Sequence, residues 1–217
     1  MFRSCKIPAP PEVYEPFVNN TKNVVGMSFM KSKRRITAYN DKWSHNDCVK
    51  AANAHFECLP CSCDAGVNCQ NSGVTRGLLV FPKTSVVESF HFDDALQLDE
   101  DVVKGQTIGE YVGEFILKAE YERRKQISAG TKDWYFLHVK RDLYLDGIEM
   151  GNLMRFSNHS CRPNAEIQLW HVNSEPRMFV VALKNIKKST QVTLKYMDAS
   201  WQMACACGHC NGSFELL

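Results

Sequence analysis

Short segments rich in β-branched and aromatic residues recur through the middle of the chain, and glycines or polar residues separate them. This pattern is typical of β-strands. We predict strands at 107–116, 134–139, 165–172, 178–183 and 191–196. A helix is predicted over residues 117–129, where Glu120 precedes Arg124 by four positions and Gly130 is placed to end the helix. Many short strands with one or two helices favour a mostly β fold over a doubly wound sheet.

The size and composition of the chain limit what kind of protein it can be. Its 217 residues suffice for one good core and a small satellite, and 44% apolar with 23% charged residues is ordinary globular usage. A net charge of +2 gives no reason to expect nonspecific nucleic-acid binding. The longest apolar run, residues 178–183, is shorter than the roughly 18 residues of a membrane span, and the start of the chain lacks the apolar core of a secretion signal. We therefore expect a soluble intracellular protein with no membrane association.

Ten cysteines are the unusual feature of the composition, and most of them fall into two clusters. The first cluster, within 22 residues, contains Cys48, Cys58, Cys61, Cys63 and Cys69. The second, within six residues, contains Cys205, Cys207 and Cys210. Because zinc prefers four closely spaced soft ligands, we predict that the clusters bind zinc, and disulfide bonds are the alternative.

The clusters divide the chain into four segments. Residues 1–44 form an irregular lead-in, with a basic run at 31–35 that is either solvated surface or a nuclear-import signal. Residues 45–71 hold the first cysteine cluster, residues 72–200 form the main domain and residues 201–217 hold the second cluster. The first cluster is too poor in apolar residues to fold without a metal.

Residues 151–164 read GNLMRFSNHSCRPN and carry every fixed position of G-N-x-x-R-F-x-N-H-S-C-x-P-N, the core motif of SET-domain protein lysine methyltransferases. Other motifs of that family follow in its order, namely GEYVGE at 109–114, WYFL at 134–137, YLDG at 144–147, VTLKY at 192–196 and CACGHC at 205–210. The first cysteine cluster resembles the back half of an AWS (associated-with-SET) zinc module, and the second resembles a post-SET tail. The chain therefore resembles SET-domain histone-lysine methyltransferases. This resemblance implies a β-clip with a pseudoknot, flanked by small zinc-binding modules.

The resemblance also implies a reaction and the residues that perform it. The reaction is methyl transfer from S-adenosylmethionine to a lysine amine, with Tyr196 and Tyr135 as catalytic residues. The implied cofactor-binding residues are Trp134, Tyr135, Asn158, His159 and Ala206. An aromatic channel suits this reaction because burial and a nearby sulfonium both disfavour the ammonium form of lysine, whose pKa in water is about 10.4. Arg155, Phe156 and Tyr111 are interpreted as residues of the structural frame.

Two zinc sites follow from the same resemblance. The post-SET site would consist of Cys161, Cys205, Cys207 and Cys210. The AWS-like site would consist of Cys48, Cys58, Cys69 and either Cys61 or Cys63, with His45 as an alternative ligand. The implied partner is the histone H3 tail or a nucleosome in the nucleus, and we expect a monomer. A zinc-stapled nucleic-acid binder is disfavoured because no basic stripe accompanies the cysteines, so we expect no sequence-specific nucleic-acid binding.

The sequence departs from the family at one loop that contacts the cofactor. The family places K-G-x-G-L about nine residues before a D-I-P-x-G turn, and its glycines let the backbone approach the methionine end of the cofactor. Here residues 91–98 contain no glycine, and their two aspartates would bring negative charge near the cofactor carboxylate. An alternative alignment uses residues 76–78 and requires a long insertion. Leu194 and Lys195 replace an aromatic residue and an aspartate. The alternative function is therefore a weak or inactive SET module that binds chromatin or another protein.

Overall fold

The computed structural model describes residues 24–25, 52–58, 68–69, 71–89, 94–127, 135–172 and 175–196, with Cys205, Cys207 and Cys210. Its strands are β1 (Val24–Val25), β2 (Thr84–Glu88), β3 (Asp94–Leu98), β4 (Thr107–Tyr111), β5 (Glu114–Leu117), β6 (Phe136–Lys140), β7 (Leu143–Asp146), β8 (Asn158–His159), β9 (Ala165–Val172), β10 (Glu175–Ala182) and β11 (Thr193–Leu194). Helix α1 spans Lys118–Ile127, and a 3-10 helix, η1, spans Leu153–Phe156. The predicted mostly β fold is confirmed. Across the described ranges, every helix is too short or too polar to cross a membrane.

Strand β10 lies at the centre of an antiparallel sheet of order β4-β10-β9. Met178, Val180 and Ala182 face the main apolar core, whereas Phe179 and Val181 belong to a second, smaller apolar cluster. Both faces of the strand are therefore buried, which explains its nearly continuous apolar sequence. The prediction at 165–172 coincides with β9, and the prediction at 178–183 covers the apolar half of β10.

The single strand predicted at 107–116 is wrong, because the chain changes sheets within it. Strand β4 pairs with β10, whereas β5 pairs with β7. Gly113 lies at the break and passes so close to the backbone of Asp146 that a Cβ atom at position 113 would overlap the Asp146 carbonyl. Apolar residues continue through both strands, so their pattern does not reveal the change of sheet.

A second sheet, of order β1-β5-β7-β6, carries helix α1. The helix begins directly after β5, and its buried residue Tyr121 stacks on Tyr144 of β7 with ring centroids 4.1 Å apart. The predicted helix at 117–129 is thus found within one residue at its start, and residues 128–129 lie outside the described part of the chain. The strand predicted at 134–139 corresponds to β6. Residue 134, like residues 128–129, lies outside the described part of the chain.

The segment around β11 connects two parts of the chain that are far apart in sequence. Its first part hydrogen-bonds to β3, through Val192 N to Leu96 O at 2.8 Å, and β11 then pairs in parallel with β8. The strand predicted at 191–196 is consequently only two residues long, because the segment changes partners from β3 to β8. The family resemblance implies a pseudoknot, and in the described residues this segment contacts two parts of the chain that are far apart in sequence.

Arg124 joins α1 to both neighbouring strands. Its Nη1 donates to a carboxylate oxygen of Glu114 and to one of Asp146, both at 2.7 Å, and its Nε donates to Glu120 at 2.8 Å. The Asp146 side chain is only 3% exposed. Burial raises the pKa of Asp146, although the hydrogen bonds it accepts oppose the shift. The carboxylate therefore depends on Arg124 for a charge partner.

Replacing Arg124 by alanine should lower the free energy of unfolding by about 3 kcal/mol, because a buried carboxylate is left without its cation. The matched control is Arg123→Ala, which removes a guanidinium from the same helix that is 58% exposed and pairs with Glu120. Exposed pairs contribute only about 0.5 kcal/mol. Urea denaturation followed by circular dichroism measures both losses, and equal losses would contradict the assignment of Arg124 as a buried link.

Candidate active site

A cavity of about 740 Å³ is bounded by residues of β4, β6, β7, β9, β10 and the segment after η1. This volume lies within the roughly 300–1,000 Å³ that is typical of small-molecule sites. Most of the lining is apolar or aromatic, and the aromatic residues are Tyr111, Tyr121, Phe136, Tyr144 and Tyr196. The charged side chains in the lining are Arg155, Glu166 and Lys195.

Tyr196 lies two residues after the end of β11, and its hydroxyl is held in place by Ser157, the residue before β8. The hydroxyl donates a hydrogen bond to the Ser157 carbonyl at 2.8 Å, and the Tyr196 backbone N–H donates to His159 Nδ1 at 3.1 Å. Burial, with a smaller contribution from Tyr135, raises the pKa of Tyr196 well above its ordinary value. The hydroxyl is therefore neutral at physiological pH.

Tyr111, at the end of β4, places a second hydroxyl in the lining. It donates to the Tyr135 carbonyl at 3.1 Å, which also accepts the Gly147 N–H at 2.9 Å. Burial raises the pKa of Tyr111 well above its ordinary value, and the nearby Tyr196 adds to the shift. The Tyr135 ring packs edge-on against Phe156, with ring centroids 6.1 Å apart. Two neutral tyrosine hydroxyls thus lie in one cavity, each bonded to a backbone carbonyl.

Asn158 and His159 form β8, beside the segment that carries Tyr196. Asn158 Nδ2 donates to the Asp94 carbonyl at 2.7 Å, and among the described residues none donates to its Oδ1. Burial lowers the pKa of His159, so the imidazole is neutral, and its bond from the Tyr196 N–H assigns the ring proton to Nε2. Trp134 and Ala206, the other predicted cofactor residues, lie outside the described residues.

The structure brings four of the predicted cysteines together. These are Cys161, Cys205, Cys207 and Cys210, whose sulfur atoms all lie within 4.8 Å of one another. Cys161 Sγ is 3.2 Å from Cys207 Sγ, and Cys207 Sγ is 3.8 Å from Cys210 Sγ. A tetrahedral zinc with bonds of about 2.3 Å would separate its sulfur ligands by about 3.8 Å. The four sulfurs therefore fit a single metal ion.

The electrostatics of this cluster also favour a cation. The neighbouring thiols Cys207 and Cys210, with burial, raise the pKa of Cys161 to about 12, because adjacent thiolates would repel one another. A divalent cation reverses that preference by binding the thiolates. The 3.2 Å between the sulfur atoms of Cys161 and Cys207 is far longer than the roughly 2.05 Å of a disulfide. The disulfide alternative is therefore wrong for this pair.

Only part of the first cysteine cluster is described. Cys58 and Cys69 are both buried, and Asn71 Nδ2 donates to Cys58 Sγ at 3.3 Å. Such a bond stabilises a thiolate and is typical of the surroundings of a metal ligand. Cys48, Cys61, Cys63 and His45 lie outside the described residues. The neighbouring backbone packs on β9, since Glu57 N donates to His171 O at 2.9 Å.

Sequence analysis assigned Tyr111 and Arg155 only to the frame, but both line the cavity. Tyr111 gave no separate signal, because its position in the cavity depends on the pairing of β4 with β10. Arg155 was identifiable as part of the motif, and a charged residue next to apolar Met154 and Phe156 is itself an indication of a special environment. The local sequence therefore does not show that the side chains of Tyr111 and Arg155 line the cavity.

Comparisons with known proteins agree with this geometry. Residues 96–197 match the SET domain family. The chain is 33% identical over 164 residues to "Histone-lysine N-methyltransferase, H3 lysine-36 specific" of Mus musculus, a match that covers 72% of this chain and 6% of the relative. It is 34% identical over 166 residues to "Histone-lysine N-methyltransferase NSD3" of Mus musculus, covering 73% of this chain and 11% of that protein.

A plant relative and a solved structure extend the comparison. "Histone-lysine N-methyltransferase ASHR3" of Arabidopsis thaliana is 30% identical over 172 residues, which are 76% of this chain and 34% of the relative. The chain therefore spans between 6% and 34% of the length of these three relatives. A structure titled "ctPRC2 in an autoinhibited conformation bound to S-adenosylmethionine" superposes with a TM-score of 0.60 at 24% identity, covering 67% of this chain and 21% of that one. It shares the fold.

Proposed function

Because residues 96–197 match the SET domain family, we propose that this chain transfers a methyl group from S-adenosylmethionine to a lysine of a histone. We propose the histone H3 tail, free or in a nucleosome, as the substrate, and the nucleus as the location. Relatives named as histone-lysine N-methyltransferases support this choice, and one of them is named for lysine 36 of histone H3. Within the proposal the chain acts as a monomer.

The observation that carries the proposal is the pair of neutral hydroxyls of Tyr111 and Tyr196 in one cavity. Each hydroxyl already donates its proton to a carbonyl, so its oxygen offers lone pairs to an incoming group. A lysine amine that donates its N–H bonds to these oxygens has its own lone pair directed elsewhere, toward a methyl donor. The two tyrosines would therefore orient the nucleophile.

The other walls of the cavity would position the reacting groups and exclude water from them. S-adenosylmethionine, when bound, supplies a methyl carbon on a positively charged sulfur, and the electron pair of the broken carbon–sulfur bond stays on that sulfur. The aromatic walls exclude water and hold the amine in line, and positioning of this kind contributes about 7–11 kcal/mol in favourable cases. The same apolar walls disfavour the ammonium form, so the amine gives its proton to solvent before it reacts.

One of the proposed cofactor residues has an atom that fits the methyl donor, because Asn158 Oδ1 can accept a hydrogen bond from an amine of the cofactor. The Arg155 guanidinium lies 4.6 Å from the centroid of the Tyr135 ring, so the assignment of Tyr135 to the cofactor rests on the family resemblance. His159 would help to hold β8 in place through its bond with the Tyr196 N–H. The assignment of Trp134 and Ala206 to the cofactor wall rests on the family resemblance.

Zinc is the metal that we propose for the cysteine clusters. The site of Cys161, Cys205, Cys207 and Cys210 would hold the C-terminal tail next to β8, because Cys161 follows His159 by two residues. Such a zinc is structural, yet activity would depend on it. Cys58 and Cys69 would contribute to a second zinc in the AWS-like segment.

One observation favours the alternative function, a weak or inactive SET module that binds chromatin or another protein. Asn158 Nδ2 donates to the backbone carbonyl of Asp94, which lies within the segment 91–98 that lacks the glycines of the family. A side chain that is already bonded to a neighbouring strand has less freedom to bind a cofactor. Cofactor binding therefore separates the two functions.

Replacing Tyr196 by phenylalanine should lower kcat by about 100-fold, because the oxygen that orients the amine is lost. Folding should be preserved, since the ring still packs and a single hydrogen bond, to Ser157, costs about 1 kcal/mol. Tritiated methyl incorporation into histone H3 peptides measures the rate, and thermal unfolding measures the stability. An unchanged rate would show that Tyr196 is not catalytic.

Replacing Cys161 by serine should remove about one zinc ion per chain, because a tetrahedral site loses one of its four thiolates. Elemental analysis of the purified protein measures the loss. Cys5→Ser is the matched control, since Cys5 lies outside both clusters and should leave the zinc content unchanged. Full zinc content in the Cys161→Ser protein would exclude this cluster as a metal site.

Calorimetric titration with S-adenosylmethionine should detect binding, and Asn158→Ala should weaken it by about tenfold through the loss of a hydrogen bond. No binding at millimolar cofactor would eliminate the enzyme and leave the alternative function. If binding is found, tritiated methyl incorporation into nucleosomes and into free histones identifies the form of the substrate.

A further inference from the structure

Arg155 places a positive charge in the lining of the cavity and has a fixed position there. Its Nη1 donates to the Gly147 carbonyl at 3.0 Å and to the Ile148 carbonyl at 2.6 Å. The guanidinium carbon lies 4.6 Å from the centroid of the Tyr135 ring and 4.8 Å from that of Phe156. Two carbonyls and two aromatic faces thus hold the cation beside the tyrosines of the candidate active site.

The field of this cation reaches the reactive part of the cavity. Burial, Tyr196 and Asp146 raise the pKa of Tyr111, whereas Arg155 lowers it. The charged and titratable groups around Arg155 and along the lining are the tyrosines 111, 121, 135, 144 and 196, with His138, Asp146, Glu166 and Lys195. The Asp146 carboxylate is bound by Arg124 and by the Ile148 N–H, whereas Glu166 and Lys195 are exposed to solvent. Exposed charges are screened by salt much more strongly than a charge in an enclosed site.

We propose that the Arg155 guanidinium keeps the target lysine amine uncharged in the cavity, a role that rests on the proposed function. A second cation beside Arg155 would be repelled, so the ammonium form of the substrate is disfavoured relative to the neutral amine. The proton passes to water at the opening of the cavity, and the electron pair it leaves on nitrogen is the one that forms the bond to the methyl carbon. Arg155 thus acts on the proton equilibrium of the substrate.

The test compares three substitutions of Arg155. Arg155→Gln removes the charge but keeps an N–H donor for the two carbonyls, Arg155→Met removes both, and Arg155→Lys keeps the charge. For each variant, kcat is measured from pH 6 to pH 10 with a histone H3 peptide, since kcat reports groups that titrate in the enzyme–substrate complex. The Gln and Met variants should raise the apparent pKa of kcat by about one unit and lower kcat about tenfold at pH values below it. The Lys variant should keep the apparent pKa of the unmodified protein.

A substrate with a less basic amine provides an independent measurement. In a peptide whose target lysine is replaced by S-aminoethylcysteine, the amine loses its proton more easily. At neutral pH this peptide should restore most of the rate that the Gln and Met variants lose, whereas a purely structural defect would be the same for both peptides. Lys195→Met is the matched control, because it removes the other cation of the lining, which is exposed. It should shift the apparent pKa by much less than the Arg155 variants.

The outcomes separate this inference from the proposed function. No methyl transfer by the unmodified protein would contradict both. An active protein whose Gln and Met variants lose rate equally at every pH, with an unchanged apparent pKa, would overturn only the role of Arg155. If circular dichroism shows that neither neutral variant folds, Arg155→Lys decides the question. An unchanged apparent pKa in that variant supports the inference, and an upward shift of one unit despite the retained charge overturns it.

Discussion

The side chain of Asn164 fixes the relation between the two segments that build the candidate site. It is 7% exposed, its Nδ2 donates to the Gln191 carbonyl at 2.7 Å, and its Oδ1 accepts the Thr193 N–H at 2.8 Å. An apolar residue at this position would leave both backbone groups unpaired, at about 1–3 kcal/mol each. Tyr196 follows three residues after Thr193, so the position of its hydroxyl depends on this one amide. The parallel pairing of β11 with β8 joins the same two segments of the chain.

The connection also explains the electrostatic character of the cavity. Because β11 passes close to β8, the Tyr196 hydroxyl meets the Ser157 carbonyl in a buried place and stays protonated. Tyr111 is held in the same state from β4, and burial keeps His159 neutral. These three groups, Tyr196, Tyr111 and His159, are thus neutral, and the buried Asp146 is bound to Arg124. The guanidinium of Arg155 is only partly exposed and is held by two backbone carbonyls, whereas Glu166 and Lys195 are exposed. It is therefore the charge of the lining that is best placed to affect a substrate amine.

Much of this arrangement could be predicted from the sequence, because its signals are local. The strand at 165–172 and the helix at 117–129 depend on residue type and spacing within one segment. The sulfur cluster joins Cys161 to cysteines more than 40 positions away, and its prediction came from the family resemblance. The break at Gly113 could not be predicted, since it depends on the approach of Asp146, which is 33 positions away in the chain. The cavity contacts of Tyr111 and Arg155 were missed for the same reason. A periodic pattern reports which residues are buried, but not which other segment buries them.

The departure of residues 91–98 from the family pattern is better understood as a change in cofactor affinity than as a loss of the site. In the described part of this segment, residues 94–98, the Asp94 carbonyl accepts a hydrogen bond from Asn158 Nδ2 in an exposed position. A bond of this kind contributes about 0.5–1.5 kcal/mol, so breaking it to admit a ligand would weaken binding by about two- to tenfold. The bond also leaves Asn158 Oδ1 free to accept from a ligand. The hydrogen bonds that hold the hydroxyls of Tyr196 and Tyr111, on which the proposed chemistry depends, do not involve this segment.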